Sequence, residues 1–272
     1  MKLEPAVYTL SVFNKFKDRV VHGISQRSGG SSNGCYSSLN LGLHVGDNAD
    51  AVVENRKRFS KQMGTDLSRV VCCEQVHGTN IHVVTKKDMG SGAFTLDDII
   101  KDTDGLVTNE KNIPLMLFFA DCAPLLIYDP QHNAIGLAHA GWRGTVGNIA
   151  ANTLQVMHDT YGTEPSDCIA AIGPCIGQCC YEIGDNVAEK FISLFSSLSV
   201  PSSVLSQILL RRADKYHLSL YEANKELLLL QGVKMENIAA EHCCTSCNVE
   251  KFYSYRAENG KTGRHAALIY LK

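Results

Sequence analysis

The chain has 272 residues, a net charge of −2 and a sequence pI near 6.5, so no global basic field is available to hold nucleic acid or an anionic membrane surface. Any phosphate binding must therefore be local. Eleven cysteines, including the adjacent pairs Cys72-Cys73, Cys179-Cys180 and Cys243-Cys244, fit a reducing cytosol better than an oxidising compartment. The apolar stretch at residues 7–13 is broken by Thr9 and Ser11 and followed by Lys15, Lys17 and Asp18, which does not read as a secretory signal. No run approaches the roughly eighteen apolar residues of a membrane span. The length is near the upper end of single-domain size and no low-complexity linker interrupts it, so one domain over residues 1–272 is expected.

In chain order, residues 50–63 read as a helix, with Asn48 or Asp50 as its cap and Gly64 as its stop. Residues 70–76 and 80–85 are strand-like and joined through His77-Gly78-Thr79, which would project His77 from a hairpin. The apolar runs at 114–119 and 134–138 read as buried strands, each ending near a candidate ligand, Cys122 and His139. Residues 144–161 carry helical apolar spacing ended by Gly162 and Pro165, and this helix starts directly after Arg143. An apolar strand follows at 168–172. Ser219-Leu220-Tyr221-Glu222 has the pattern of a capping box opening a leucine-rich core helix that stops at Gly232, and residues 265–271 read as a closing strand. Strands outnumber helices and several fall in adjacent pairs. The expected fold is α/β of the α+β kind, a mixed-sheet layered sandwich with outer helices, and no dinucleotide-binding or Walker sequence is present.

His77, Cys122 and His139 supply the nitrogen and sulfur donors of an open zinc site, in which three protein ligands leave the fourth position to water or substrate. The alternative is a buried thiol and satisfied histidines. Arg143, at a strand-to-helix junction, is the leading anion-binding candidate, against a purely local capping role. Asp121 either orients a ligand imidazole or metal-bound water, or faces away and binds backbone. Cys175 lies between Gly173-Pro174 and Ile176-Gly177, where a thiol could line a pocket or act as nucleophile, although no activating cation is visible in the sequence. Cys244-x-x-Cys247 is half of a zinc-ribbon spacing, which Cys175, Cys179 and Cys180 could complete. A multicopper centre needs clustered imidazoles, yet the ten histidines include no His-x-His pair and none lies within four residues of Cys122, so copper fits less well.

Several ordered blocks make the chain recognisable: Ser38-Leu39-Asn40-Leu41-Gly42-Leu43-His44-Val45-Gly46-Asp47, Thr103-Asp104-Gly105-Leu106-Val107, Ala120-Asp121-Cys122-Ala123-Pro124-Leu125-Leu126, His139-Ala140-Gly141-Trp142-Arg143-Gly144, Ile172-Gly173-Pro174-Cys175-Ile176-Gly177, Phe252-Tyr253-Ser254-Tyr255-Arg256 and Thr262-Gly263-Arg264. Together they resemble the YfiH-like family over residues 23–271. The resemblance implies a zinc-dependent catalytic domain that cleaves adenosine, inosine or methylthioadenosine with inorganic phosphate to the free base and a ribose 1-phosphate sugar, and that also deaminates adenosine. Such proteins were formerly called polyphenol oxidases or laccases, and bacterial members are linked to editing of cell-wall precursors.

It maps one catalytic Zn2+ onto His77, Cys122 and His139 and favours a substrate-lining loop for His44 and Asn40 over turn chemistry by Asn40 and an exposed His44; Arg256 and Arg264 are left to hold phosphate or neutralise a buried carboxylate. Cys244-Thr245 fits the family pattern, whereas Cys243 and Cys247 are local additions. Ala257 stands where a second basic residue often follows Arg256, which points to altered anion affinity or specificity. The expected partners are purine nucleosides and phosphate, the expected location the cytoplasm, and the expected state a monomer or small homo-oligomer. Competing readings are an amidase-type hydrolase acting on cell-wall precursors, a copper polyphenol oxidase, and a non-catalytic module around a closed four-ligand zinc.

Overall fold

Leu115, Leu117 and Phe119 face one apolar core while Met116 and Phe118 face another, so their strand is covered on both sides. The same period of two separates Ala267, Ile269 and Leu271 from Ala266, Leu268 and Tyr270. These alternations set the layers in the computed structural model, which describes residues 4–240 and 242–272.

The chain begins with β1 (Val7–Tyr8), β2 (Val20–Ser25), α1 (Ala49–Gln62), β3 (Ile81–Val83), β4 (Gly105–Thr108), β5 (Leu115–Phe119), β6 (Ala123–Asp129) and β7 (Ala134–Ala140). It continues through α2 (Trp142–Val146), α3 (Ile149–Tyr161), β8 (Ile169–Ile172), β9 (Glu182–Ile183), α4 (Asp185–Ser197) and α5 (Ser202–Ile208). The last elements are β10 (Leu209–Arg212), β11 (Lys215–Leu218), α6 (Leu220–Leu230), β12 (Ile238–Ala240) and β13 (His265–Leu271). A four-stranded sheet has the order β1-β2-β13-β5, and a six-stranded mixed sheet the order β12-β8-β6-β7-β4-β3. Between them lies a core of Leu117, Phe119, Leu126, Tyr128, Leu137 and Ile269, among others. The outer face of the four-stranded sheet packs on Phe59 and Met63 at the end of α1. The outer face of the six-stranded sheet packs on α3, α4 and α6 through residues such as Leu154, Phe191 and Leu227. The result is the expected layered sandwich with outer helices.

Local signals explain several boundaries. Asn48 caps α1 by accepting from the Ala51 N–H at 2.9 Å, and Gly64, at φ +76°, turns the chain after it. Ser219 caps α6 through the Glu222 N–H, but the Glu222 carboxylate pairs with Lys225 and the Ser219 N–H is taken by Ile208, so only half of a capping box forms.

Two expectations are corrected. The helical pattern at 144–161 is divided: α2 starts at Trp142 after Gly141, and Asn148 takes a left-handed φ of 58° while its side chain caps α3. Apolar spacing continues across this break, and Asn is among the few residues that tolerate both the backbone geometry and the cap. The hairpin around His77 is also absent. Val71 bridges to Leu115 of the four-stranded sheet, whereas β3 pairs in parallel with β4 of the six-stranded sheet. His77 therefore sits where the chain crosses from one sheet to the other.

Arg56 of α1 is fully buried, yet it has a defined task. Its guanidinium donates to the carbonyls of Leu41 (2.7 Å), Gly92 (2.7 Å) and Ala93 (2.8 Å), and lies 4.4 Å from the Phe118 ring centroid. It ties two loops to the back of β5. Arg56→Met keeps the stem but strands three carbonyls, and we expect a loss of about 3 kcal/mol or more. Urea unfolding measures it; a loss under about 1 kcal/mol, the net worth of one ordinary hydrogen bond, would contradict this role.

Candidate active site and metal centre

Cys122 lies in the short turn between β5 and β6, His139 within β7, and His77 on the crossing segment. Their donor atoms all lie within 4.8 Å of one another. His139 is buried, Cys122 half-buried and His77 exposed. A graded floor of this kind leaves one side open. Gly141 makes room for it, since a Cβ there would meet Cys122 Sγ at 3.0 Å and His77 Cδ2 at 3.1 Å.

One carboxylate organises two of the three donors. Asp104, fully buried at the start of β4, accepts from His139 Nδ1 at 2.8 Å and from the backbone N–H groups of Val76 (3.1 Å), His77 (3.0 Å) and Gly78 (2.7 Å). Its own carbonyl accepts from the His139 N–H at 2.8 Å. The three consecutive N–H groups cradle the carboxylate and hold His77 at a φ of 62°, a left-handed conformation unusual for a side chain with a Cβ. Fixing His139 through Nδ1 leaves Nε2 as its donor to a metal. Burial opposes charge on Asp104, but His139 and the Gly78 and Val76 N–H groups outweigh it and keep the carboxyl below its usual range. Burial likewise opposes a thiolate at Cys122, yet His139 and His77 bring that thiol down to about 6. Cys122 and Asp104 together lift His139, against burial, to about 9. An anionic sulfur and two imidazoles fit a tetrahedral ion with one open position.

Around this floor is a cleft of about 520 Å3. Arg143, Arg256 and Arg264 line it together with His44, Phe118, Trp142, Tyr181 and Tyr255. Arg143, exposed on the first turn of α2, stacks 4.4 Å from the Trp142 ring. The Arg256 guanidinium is 5.2 Å from the Tyr181 ring centroid, and the Arg264 guanidinium donates to the Thr262 and Gly263 carbonyls. Desolvation first, then Arg264 and Arg56, push His44 down to about 4, so its imidazole is neutral at pH 7.

Three sequence-derived candidates have other placements. Asp121 does not reach the ligand imidazoles; it takes a left-handed φ of 87°, and its carboxylate accepts from the Thr245 hydroxyl at 2.6 Å and the Arg256 N–H at 2.7 Å. The segment is a turn rather than an extended strand, so it knots the C-terminal loops to the cleft floor. Asn40 is fully buried and accepts from the N–H groups of Gly42 and Arg264, at 3.0 and 2.8 Å, which seats Arg264 without lining the cleft. Cys175 lies outside the cleft; burial first, then the neighbouring Cys244 and Cys122 side chains and Asp121, push its thiol far above the usual value, the opposite of an activated nucleophile. Asp104 was the residue missed. Its only sequence signal was the Thr103-Asp104-Gly105 block, without an indication of what it touched.

Fold and site together define a layered α/β protein with an arginine-walled cleft over a three-donor set suited to a metal. The chain belongs to the family described as multi-copper polyphenol oxidoreductase laccase, whose model matches residues 21–272. It is similar to the purine nucleoside phosphorylase YlmD of Geobacillus stearothermophilus, 43% identical over 92% of this chain and 89% of that protein. The Bacillus subtilis protein of the same name is 38% identical over 95% and 91% of the two chains. The crystal structure of the hypothetical protein YfiH from Bacillus licheniformis superposes with a TM-score of 0.89 at 40% identity, covering 96% of this chain and 94% of that one.

Asp104→Asn removes the charge and replaces one of the two carboxylate oxygens with an NH2 donor, so either the Val76 and Gly78 N–H groups or the His77 N–H and His139 Nδ1 lose their acceptor. We expect metal affinity at the cleft, measured by chelator competition with zinc, to fall about 10–100-fold while circular dichroism shows a retained fold. Unchanged affinity would separate the carboxylate from the donor set.

Proposed function

We propose that the cleft is a one-zinc site at which purine nucleosides are cleaved by inorganic phosphate, with hydrolytic deamination of adenosine as a second activity. The observation that carries this reading is the joining, in one cleft, of a two-nitrogen, one-sulfur donor set with three arginines and several aromatic faces. The relatives named purine nucleoside phosphorylase support the phosphorolytic reaction. The copper in the family description suits this donor set less well, because a multicopper centre requires many imidazoles in close array. Here two imidazoles and one thiolate surround one position, and among the described residues the other group of three or more candidate ligands contains only cysteines.

A zinc ion held by His77, Cys122 and His139 supplies a Lewis acid at the cleft floor. The rest is work for the chain's own side chains. Phosphorolysis requires a phosphate oxygen to approach the anomeric carbon as the purine leaves. The planar guanidinium of Arg143 can hold that phosphate through two parallel N–H bonds, in an otherwise nearly neutral protein. Arg256 and Arg264 add charge to the same cleft. Phe118, Trp142, Tyr181 and Tyr255 offer apolar faces to the base. Neutral His44 presents one ring nitrogen as donor and the other as acceptor at the cleft mouth. Adenosine, inosine and methylthioadenosine share the purine, ribose and anomeric carbon this arrangement addresses.

Small-molecule substrates, without nucleic acid or membrane, complete the proposal, and the eleven cysteines suit a cytoplasmic setting. Among the described residues no helix is long and apolar enough to cross a membrane.

Chromatography of products from a nucleoside panel tests the reading. Adenosine should yield adenine only when phosphate is present, and inosine with or without it. Arg143→Lys keeps charge but loses the planar fork, so the KM for phosphate should rise at least about tenfold, matching one lost charge-assisted bond of about 1.5–3 kcal/mol. Zinc content should persist and deamination should suffer less. Absence of both products would overturn the proposal, and an equal loss of both activities at saturating phosphate would move Arg143 from phosphate to the shared purine site.

A further inference from the structure

Two loops remote from each other in sequence bring four thiols together outside the cleft. One loop follows β8 and carries Cys179 and Cys180; the other follows β12 and carries Cys244 and Cys247. The sulfurs of all four lie within 4.8 Å of one another, with Cys179 Sγ 3.5 Å and Cys180 Sγ 3.4 Å from Cys247 Sγ. Four sulfurs around a single zinc, at about 2.3 Å each, stand about 3.8 Å apart in a tetrahedron. The observed cluster has that scale, whereas a disulfide would bring two sulfurs to about 2.05 Å.

The backbone is arranged for the same purpose. Cys175 and Cys244 form a parallel bridge, and the Thr245 N–H donates to the Cys175 carbonyl at 3.0 Å, so the loops are already aligned before any thiol is considered. The Gly177 N–H donates to Cys244 Sγ at 3.1 Å, which fixes where that sulfur points. A Cβ on Gly177 would meet Cys244 Cβ at 3.0 Å, Cys179 Sγ at 3.1 Å and Cys244 Sγ at 3.3 Å, so the cradle depends on glycine. Cys244-Thr245-Ser246-Cys247 supplies one pair of ligands at knuckle spacing.

We propose that Cys179, Cys180, Cys244 and Cys247 bind a second, structural zinc ion in a closed four-thiolate site. This inference does not depend on the reading of the cleft. The site clamps the loop bearing Ile176 and Tyr181 to the C-terminal loop. Arg256 donates to the Cys180 carbonyl at 3.4 Å, and Thr245, inside the knuckle, holds Asp121. Ile176, Tyr181 and Arg256 all line the cleft, so the clamp fixes one of its walls. Cys179 and Cys247 are exposed, so they can be changed without opening the core, whereas Cys180 and Cys244 also pack against it.

Metal analysis of the whole protein, purified under reducing conditions, tests this. Cys247→Ser and Cys180→Ser should each lose one equivalent of zinc per chain relative to the unaltered protein, while Cys122→Ala should keep that equivalent. In the Cys122→Ala background, replacement of zinc by cobalt should give intense sulfur-to-cobalt absorption, which Cys247→Ser abolishes. This arm reads the cluster alone, so failure of the cleft reading leaves it intact. Zinc content unchanged by both serine variants, iron in place of zinc, or a Cys180–Cys247 disulfide found by mass spectrometry of the protein kept under reducing conditions would each overturn the proposal.

Discussion

The buried Asp104 carboxylate is the constraint on which the cleft depends. It accepts from three consecutive backbone N–H groups of residues 76–78 and from His139 Nδ1. One charge thus fixes a crossing segment and a strand residue relative to each other. Without it, His77 would lie on an exposed segment in an unfavourable backbone conformation, held chiefly by neighbouring turns. With it, the donors form before any metal arrives, and the ordering cost is met by folding rather than by binding.

A second carboxylate ties the C-terminal loops to the cleft floor. Asp121 receives the Thr245 hydroxyl and the Arg256 N–H, while its carbonyl receives the Ile176 N–H at 2.9 Å. Three loops meet there, directly before Cys122. The arginines are therefore placed by backbone as much as by side-chain contacts: Arg256 through Asp121, and Arg264 through Asn40 and two carbonyls. Such positioning keeps guanidinium groups available to an anion rather than neutralised by a carboxylate.

Much of the layer architecture could be read from the sequence because it rests on local periodicity. Residues 115–119 and 266–271 are apolar on both faces, and only strands covered on both sides read in that way. The donor types could be read for the same reason, since His and Cys carry their chemistry wherever they fall. What decided the site was not local. Asp104 lies 27 residues after His77 and 35 before His139, and no periodicity joins those positions. Residues 70–76 resembled half of a hairpin because extended backbone has the same pattern whichever sheet it joins. Asn40 resembled a substrate ligand because a buried amide and an exposed one have the same letter. The four-thiol cluster was legible as one Cys-x-x-Cys pair with three cysteines that could complete it; the fold selects Cys179 and Cys180, while Cys175 serves through its backbone bridge to Cys244.

X-ray absorption at the zinc edge tests the central claim, that Asp104 presents His77, Cys122 and His139 as one metal site. In protein carrying Cys244→Ser and Cys247→Ser, only the cleft should contribute. The account requires one sulfur at about 2.3 Å and two imidazole nitrogens at about 2.0–2.1 Å, with a further light atom from solvent. A shell without sulfur, or one made of sulfur alone, would contradict it.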